Sequence, residues 1–398
     1  MNSFSIFRTP PTITYGQNSF KKVGKDAALK GKNALIISDK VMEKLGNVKQ
    51  CVTFLEKHGV SSSVYLGVET EPTDEFVVAA LDIFKENECD LIISLGGGSC
   101  LDTAKAVSVL ASNGGSIDEY VSEKRMAKEP PIPHIAIPTT AGTGSEATDV
   151  TVITNTSNQV KMMIKQPAFM PATAIVDPVL SISSPRYVTA ATGIDALCHA
   201  IEAYLSKRAH PMTDTLALSA MRLIVNNIRN AYTDGSNIDA REKMSLGSLQ
   251  AGMAFSNASV CLVHGMSRPI GALFHVPHGY SNAMLLPAVL EFSKEACIER
   301  FADLGRIFTS EKDLSDKEAA DIAVESVKKL CNDLEIPNFQ EWGIDEQEFK
   351  FAVEKMSKDA IDSGSPANNP KVPTMQELEE LYLRCFDYQF SEKIDALK

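Results

Sequence analysis

Asp195 and His199 stand four residues apart in GIDALCHAIEAY (193–204), a stretch whose Ile194, Leu197, Cys198 and Ile201 suit a buried helix face. Positions i and i+4 of a helix project from adjacent turns on one side. A carboxylate and an imidazole so placed make a hydrogen-bonded pair, half of a metal site, or an acid/base couple. Spacing alone admits all three. The chain has only seven histidines, and His264, His275 and His278 crowd into VHGMSRPIGALFHVPHG (263–279). One carboxylate with two or three imidazoles suits a borderline divalent metal such as iron(II) or zinc better than magnesium or calcium. The bland alternatives are hydrogen-bonded core histidines at 199 and 264, and a surface turn for His278 between Pro277 and Gly279.

A second chemical signal lies in SLGGGSCLDTAKA (94–106), where three glycines stand at a strand-to-helix handover. Glycines let the backbone approach a phosphate there, and a helix N-terminus offers free N–H groups. Ser99 and Asp102 also have the spacing of a capping box, which would need no ligand. Asp39 ends the first long apolar run, where an acidic side chain hydrogen-bonds a ribose hydroxyl and repels a 2′-phosphate. It would otherwise simply cap the next helix. PTTAGTGSEAT (138–148) is a run of small hydroxylated residues and glycine, suited to a loop around a polar ligand or to a plain turn. Together these favour a dinucleotide, and Asp39 favours NAD over NADP.

These residues need elements to position them. NALIISD (33–39), SSVYLGV (62–68), DLIISLGGGS (90–99), HIAIPTT (134–140) and ATAIVD (172–177) read as buried strands. Helical segments at 40–58, 73–87 and 99–113 separate them, the pattern of a doubly wound parallel sheet. Beyond about residue 182 the strands cease and helices are expected at 186–206, 211–231, 239–256, 296–309, 316–333 and 374–386. Thr374 and Glu377 form a capping box at the last. The expected architecture is an α/β, Rossmann-like dinucleotide-binding domain over 1–182 and an all-helical domain over 183–398 that carries the candidate metal-binding residues.

Composition narrows the partners. Of 398 residues, 44% are hydrophobic, and the net charge of −12 argues against nucleic acid or an anionic membrane surface. MNSFSIFRTPPTITYG lacks the charged start and apolar core of a signal peptide. No apolar run approaches the roughly 18 residues of a membrane helix. Eight scattered cysteines without a C-x-x-C pair read as reduced, buried thiols. A cytoplasmic protein acting on a small molecule is expected.

GGGSCLDTAKA, PTTAGTGSEAT, TAATGIDALCHAIEAY and HGMSRPIGALFHVPHGYSNAMLLP occur in an order that resembles the iron-containing (group III) alcohol dehydrogenase family, and the likeness runs on to GSPANNPKVPTMQELEELY. The resemblance implies an active site in the cleft between the two domains. It implies metal ligands at Asp195, His199, His264 and His278, and a cofactor lined by Gly97, Gly98, Ser99, Asp102, Thr139, Thr140 and Lys161. Three positions depart from the family pattern. Cys100 replaces a proline, Glu71 replaces an asparagine before Pro-Thr, and Arg268 stands where many relatives carry histidine.

The expected activity is NAD(H)-dependent interconversion of a short aldehyde and its primary alcohol on Fe2+ or Zn2+, in a homodimer or larger homo-oligomer. His275, three residues from His278, is a candidate to pass protons. Arg268, four residues after His264, is a candidate to hold an anionic aldehyde such as sulfoacetaldehyde or succinic semialdehyde. Pro269 leaves helical geometry at Arg268 open. A dehydroquinate synthase-like lyase, which also uses NAD and a metal, is the alternative; only Arg268 among the metal-binding segments is basic, and a polyhydroxy acid would call for more.

Overall fold

Short runs rich in Val, Ile and Leu form the strands, because both of their faces can be buried. The computed structural model describes residues 4–158 and 160–391; residues 1–3 of the N-terminal segment read above lie outside it. The strands are β1 (Thr12–Tyr15), β2 (Asn33–Ile37), β3 (Ser61–Tyr65), β4 (Leu91–Gly96), β5 (His134–Pro138), β6 (Val150–Asn155), β7 (Val160–Lys165) and β8 (Thr173–Val176). Six make one parallel sheet in the order β1-β8-β5-β4-β2-β3. Leu35 and Ile37 of β2 pack under helices Asp74–Glu86 and Gly98–Asn113, while Ala34 and Ile36 face helices Val23–Ala28 and Asn47–Glu56. The period-2 alternation of a strand thus builds a three-layer α/β unit.

After β8 the structure is helical. Helices Arg186–Leu205, Pro211–Thr233, Ile238–Ala258, Leu262–Phe274, His278–Ser293, Ile298–Phe308, Asp316–Asp333, Glu346–Asp362 and Met375–Phe386 share one apolar core. The capping box of Thr374 and Glu377 is present. Among the described residues no single helix is long and apolar enough to cross a membrane.

Several elements differ from expectation. Segment 40–58 is two helices, broken at Gly46, whose φ of 80° is left-handed. The helix through Pro269 continues unbroken from Leu262 to Phe274, and Pro287 likewise lies inside His278–Ser293. Each proline forfeits one backbone bond, which burial of the surrounding helix outweighs. Helix Glu346–Asp362 was not anticipated either. Strands β6 and β7 form an antiparallel hairpin outside the expected strands, although the β-branched run VTVIT before Asn-Thr-Ser-Asn carries part of its signal.

Candidate functional site

The site begins where neighbouring strands end level. Gly96 pairs with Pro138 across β4 and β5, and Ile37 pairs with Ser94 across β2 and β4. The chain leaves β2 toward β3 but leaves β4 toward β5, so a crevice opens between the β2 and β4 loops. Helix Gly98–Asn113 starts there with extended Gly97 as its N-cap and no side-chain cap. Its first N–H groups therefore remain available to an anion. A Cβ on Gly98 would lie 2.7 Å from Thr143 Cγ2, so the loop after β5 packs closely on this glycine and a larger residue would require Thr143 to shift.

Asp102 does not form the expected capping box with Ser99. The helix starts earlier, and Asp102 points sideways to hold the cleft wall. Its Oδ1 accepts from Ser145 Oγ at 2.5 Å, and its Oδ2 accepts from Val152 N at 2.9 Å. Below it, Lys105 Nζ donates to Thr148 Oγ1 (2.8 Å) and the Val150 carbonyl (2.7 Å), 3.9 Å from Asp102. Burial raises the Asp102 pKa and pulls that of Lys105 down to about 8, each partly offset by the other's charge.

Gly97, Gly98, Ser99, Asp102, Thr140 and Lys161 all line one cleft with about 360 Å3 of free volume. Thr139 does not. It is buried behind the wall, its N–H bonded to the Gly96 carbonyl at 2.9 Å. Asp39 lines an adjoining cavity that shares Gly97 and Ser99. Its Oδ1 caps helix Lys40–Lys44 through the N–H groups of Val41 and Met42, while Oδ2 lies 3.6 Å from Cys100 Sγ. The capping role is thus realised on Oδ1, while Oδ2 accepts from the Cys100 thiol beside that cavity. Lys161 is ion-paired with Glu71 at the cleft, so the unusual acid and the expected cofactor ligand neutralise each other. Lys161, Met163 and Lys165 alternate along β7 and face the cleft, with Met162 and Ile164 in the core between them.

The helical half supplies the opposite wall. Gly144, at φ 61°, sits against helix Ile238–Ala258; a Cβ there would lie 2.6 Å from Gly252 Cα. That contact joins the loop after β5 to the helices behind the histidines. Asp195, His199, His264 and His278 converge, one side-chain nitrogen or oxygen from each lying within 4.8 Å of the others. Asp195 Oδ1 is 3.7 Å from Nε2 of both His264 and His278. His278 opens helix His278–Ser293 and is not in a surface turn.

Burial pulls the pKa of His199 down to about 4 and that of His278 to about 3, leaving both neutral at pH 7. Burial opposes the Asp195 charge, but the His199 and His278 imidazoles and a His264 hydrogen bond outweigh it and hold the carboxyl well below its usual range. For His264, burial is outweighed by Glu202, and its pKa is raised. Asn282 Nδ2 lies 2.6 Å from Asp195 Oδ1 and about as close to Nε2 of His264 (3.0 Å) and His278 (3.1 Å). Asn282 Oδ1 is buried without a hydrogen-bond partner. Imidazole lone pairs and a carboxylate aimed at one point, with deprotonation favoured at most of them, fit a divalent cation.

Arg268 leaves the same helix face as His264 and lines the same cleft. Its Nη1 donates to Ser365 Oγ at 2.9 Å, and Nη2 lies 3.1 Å from Met163 Sδ. No carboxylate among the described residues lies within salt-bridge distance of it, so an ordinary structural ion pair does not account for it. Burial lowers its pKa to about 10, which still leaves it cationic at neutral pH. His275 is not brought to the cluster. It is the exposed, left-handed C-cap of helix Leu262–Phe274, outside the cleft lining. Residues that sequence reasoning missed include Glu202, Asn282 and Phe255, whose ring stacks on His199 at 4.2 Å. The only signal for Glu202 is a lone carboxylate three residues after His199 in an apolar helix.

Residues 10–178 match the sequence profile described as iron-containing alcohol dehydrogenase, and residues 189–386 match that of the Fe-containing alcohol dehydrogenase family, C-terminal. The chain is 38% identical over 385 residues to a 1,3-propanediol dehydrogenase of Citrobacter freundii, covering 96% of this chain and 98% of that one. A crystal structure of a 1,3-propanediol oxidoreductase superposes with a TM-score of 0.92 at 37% identity, covering 96% of this chain and 100% of the other. Sulfoacetaldehyde reductase from Bifidobacterium kashiwanohense, solved with NAD+, superposes with a TM-score of 0.86 at 26% identity, covering 98% of this chain and 100% of the other.

Proposed function

Because the chain belongs to the iron-containing alcohol dehydrogenase family of oxidoreductases, we propose that it interconverts a short anionic aldehyde and its primary alcohol with NAD(H) and a divalent metal. Family membership displaces the lyase alternative. In this reading residues 1–182 carry the cofactor and residues 183–398 carry the metal, held by Asp195, His199, His264 and His278. Iron(II) is the first candidate and zinc the second. When bound, the metal supplies Lewis acidity that polarises a carbonyl or lowers the pKa of an alcohol.

The chain's own residues do the rest. The uncapped N-terminus of helix Gly98–Asn113 would receive the pyrophosphate, and Asp39 would accept from a ribose hydroxyl. Asp102 and Lys105 brace the wall formed by the loop after β5 and by β6. These residues would hold the cofactor ring and the carbonyl carbon in one cleft, the positioning that makes hydride transfer effectively unimolecular.

One observation carries the anionic substrate: Arg268 presents a cationic fork inside the cleft that, among the described residues, hydrogen-bonds only Ser365 and Met163. A planar guanidinium matches the paired oxygens of a carboxylate or sulfonate. The similarity to a protein named sulfoacetaldehyde reductase supports the same reading. The test is NADH oxidation by the Fe2+-loaded enzyme with matched anionic and neutral aldehydes of equal length. A clear preference in kcat/KM for the anionic member is expected. A preference for the neutral one overturns the substrate class, and no aldehyde-dependent oxidation of NADH by any of them overturns the reaction.

A further inference from the structure

Glu202 belongs to the same helical stripe as two of the four converging residues: 195, 199 and 202 are positions i, i+4 and i+7 of helix Arg186–Leu205. Its side chain is 3% exposed in an otherwise apolar turn. Burying a carboxylate there is costly unless hydrogen bonds satisfy it, and three do. Oε1 accepts from Val263 N at 2.6 Å, and Oε2 accepts from Cys261 N at 2.9 Å. These two N–H groups stand at the start of helix Leu262–Phe274, whose own N-cap side chain makes no capping bond. Glu202 thus caps, from another helix, the segment that carries His264 and Arg268.

The third partner is His264 Nδ1, 2.7 Å from Oε2. Backbone amides can only donate, so the carboxylate is an acceptor on both oxygens and the imidazole must carry its proton on Nδ1. Nε2 is then the nitrogen left to meet a cation, and that atom faces Asp195 Oδ1, His199 Nε2 and Asn282 Nδ2. The reversed tautomer would set the Nδ1 lone pair against Glu202 Oε2 at 2.7 Å, closer than the 3.7 Å from Nε2 to Asp195 Oδ1.

We propose that Glu202 is a positioning residue that fixes the tautomer and ring orientation of His264 for a divalent metal, and that it ties the order of helix Leu262–Phe274 to the metal site. The inference rests on the four-residue metal site proposed above. A carboxylate behind a ligating imidazole raises its basicity and holds its geometry. Glu202 also supplies, with Asp195, the second negative charge that offsets a dication.

Glu202→Gln keeps the shape but removes the charge, and it cannot accept on both former oxygen positions. Zn2+ affinity by chelator competition, the ligand-field spectrum of the Co2+-loaded protein and the Tm of the metal-free protein separate the possibilities. We expect Zn2+ binding to weaken roughly 10- to 100-fold and the Co2+ spectrum to shift. A lower metal-free Tm with unchanged Zn2+ affinity and an unchanged Co2+ spectrum would reduce Glu202 to a helix cap and overturn the proposal. Should the variant not fold, 15N NMR of the Zn2+-loaded wild-type protein with labelled histidine decides: a proton on His264 Nδ1 supports the assignment, and a metal on Nδ1 refutes it. Wild-type protein that binds no Zn2+ at all would instead remove the four-residue site itself.

Discussion

The Nε2 atoms of His199 and His264 face each other at 2.9 Å, although the residues lie 65 positions apart and arrive on different helices. With Glu202 occupying the far side of His264, two imidazole edges meet where a cation would satisfy both. Asp195→Ala or His264→Ala should therefore abolish activity together with metal content, since three remaining ligands hold a divalent ion poorly. Metal analysis of the purified variants beside their turnover checks this. A fully metallated His264→Ala enzyme with near-normal turnover would show that the cluster is not the metal site.

Asp39 caps a helix through Oδ1, meets the Cys100 thiol through Oδ2 and borders the cavity beside the glycine turn. NADH should be preferred over NADPH, because a 2′-phosphate near Oδ2 meets like-charge repulsion of about 1–3 kcal/mol once partly desolvated. Asp39→Gly should narrow that preference, while loss of the cap costs only a few tenths of a kcal/mol, since glycine is itself tolerated at N-caps. The ratio of kcat/KM for the two cofactors is the measurement. Equal use of both by the wild-type enzyme would reduce Asp39 to its capping role.

Arg268→Ala should lower kcat/KM for an anionic aldehyde roughly ten- to hundredfold more than for a neutral one, the worth of a charge-assisted hydrogen bond of about 1.5–3 kcal/mol. Ser365 and Met163 would lose a contact in both cases, so the difference between substrates is the readout. Equal losses for the pair would make Arg268 structural and turn attention to neutral alcohols and diols.

Glu146, in the loop after β5, is buried, and burial raises its pKa from 4.5 to about 7, with Lys105 opposing the shift. A raised folded-state pKa means that the stabilisation is fully present below 4.5 and is lost as pH rises through 7. Glu146→Gln should therefore stabilise the protein relative to wild type at pH 8, by on the order of 2 kcal/mol, and much less at pH 5. Tm values of both proteins at the two pH values test it. The same Tm difference at both would mean that Glu146 does not titrate in this window.

Much of this protein was legible in its residue order. The apolar β-branched runs ending at Asp39, Gly97 and Thr139 determine parallel strands, because such runs are stable only when buried on both faces. The i, i+4 spacing of Asp195 and His199, and of His264 and Arg268, determines that each pair shares a helix face once the helices form. Sequence spacing could not decide which helices meet. The 2.9 Å approach of His199 to His264, the pairing of Glu71 with Lys161 and the three hydrogen bonds that tie Glu202 to a distant helix start arise from packing between segments far apart in the chain. Packing also overruled local signals. Pro269 and Pro287 sit inside continuous helices, His275 is exposed while its neighbour His278 points inward, and Asp102 abandons the nearby cap for Ser145 and Val152. Local preferences of a few tenths to a few kcal/mol per residue yield when burial of whole helix faces and satisfaction of buried carboxylates contribute more.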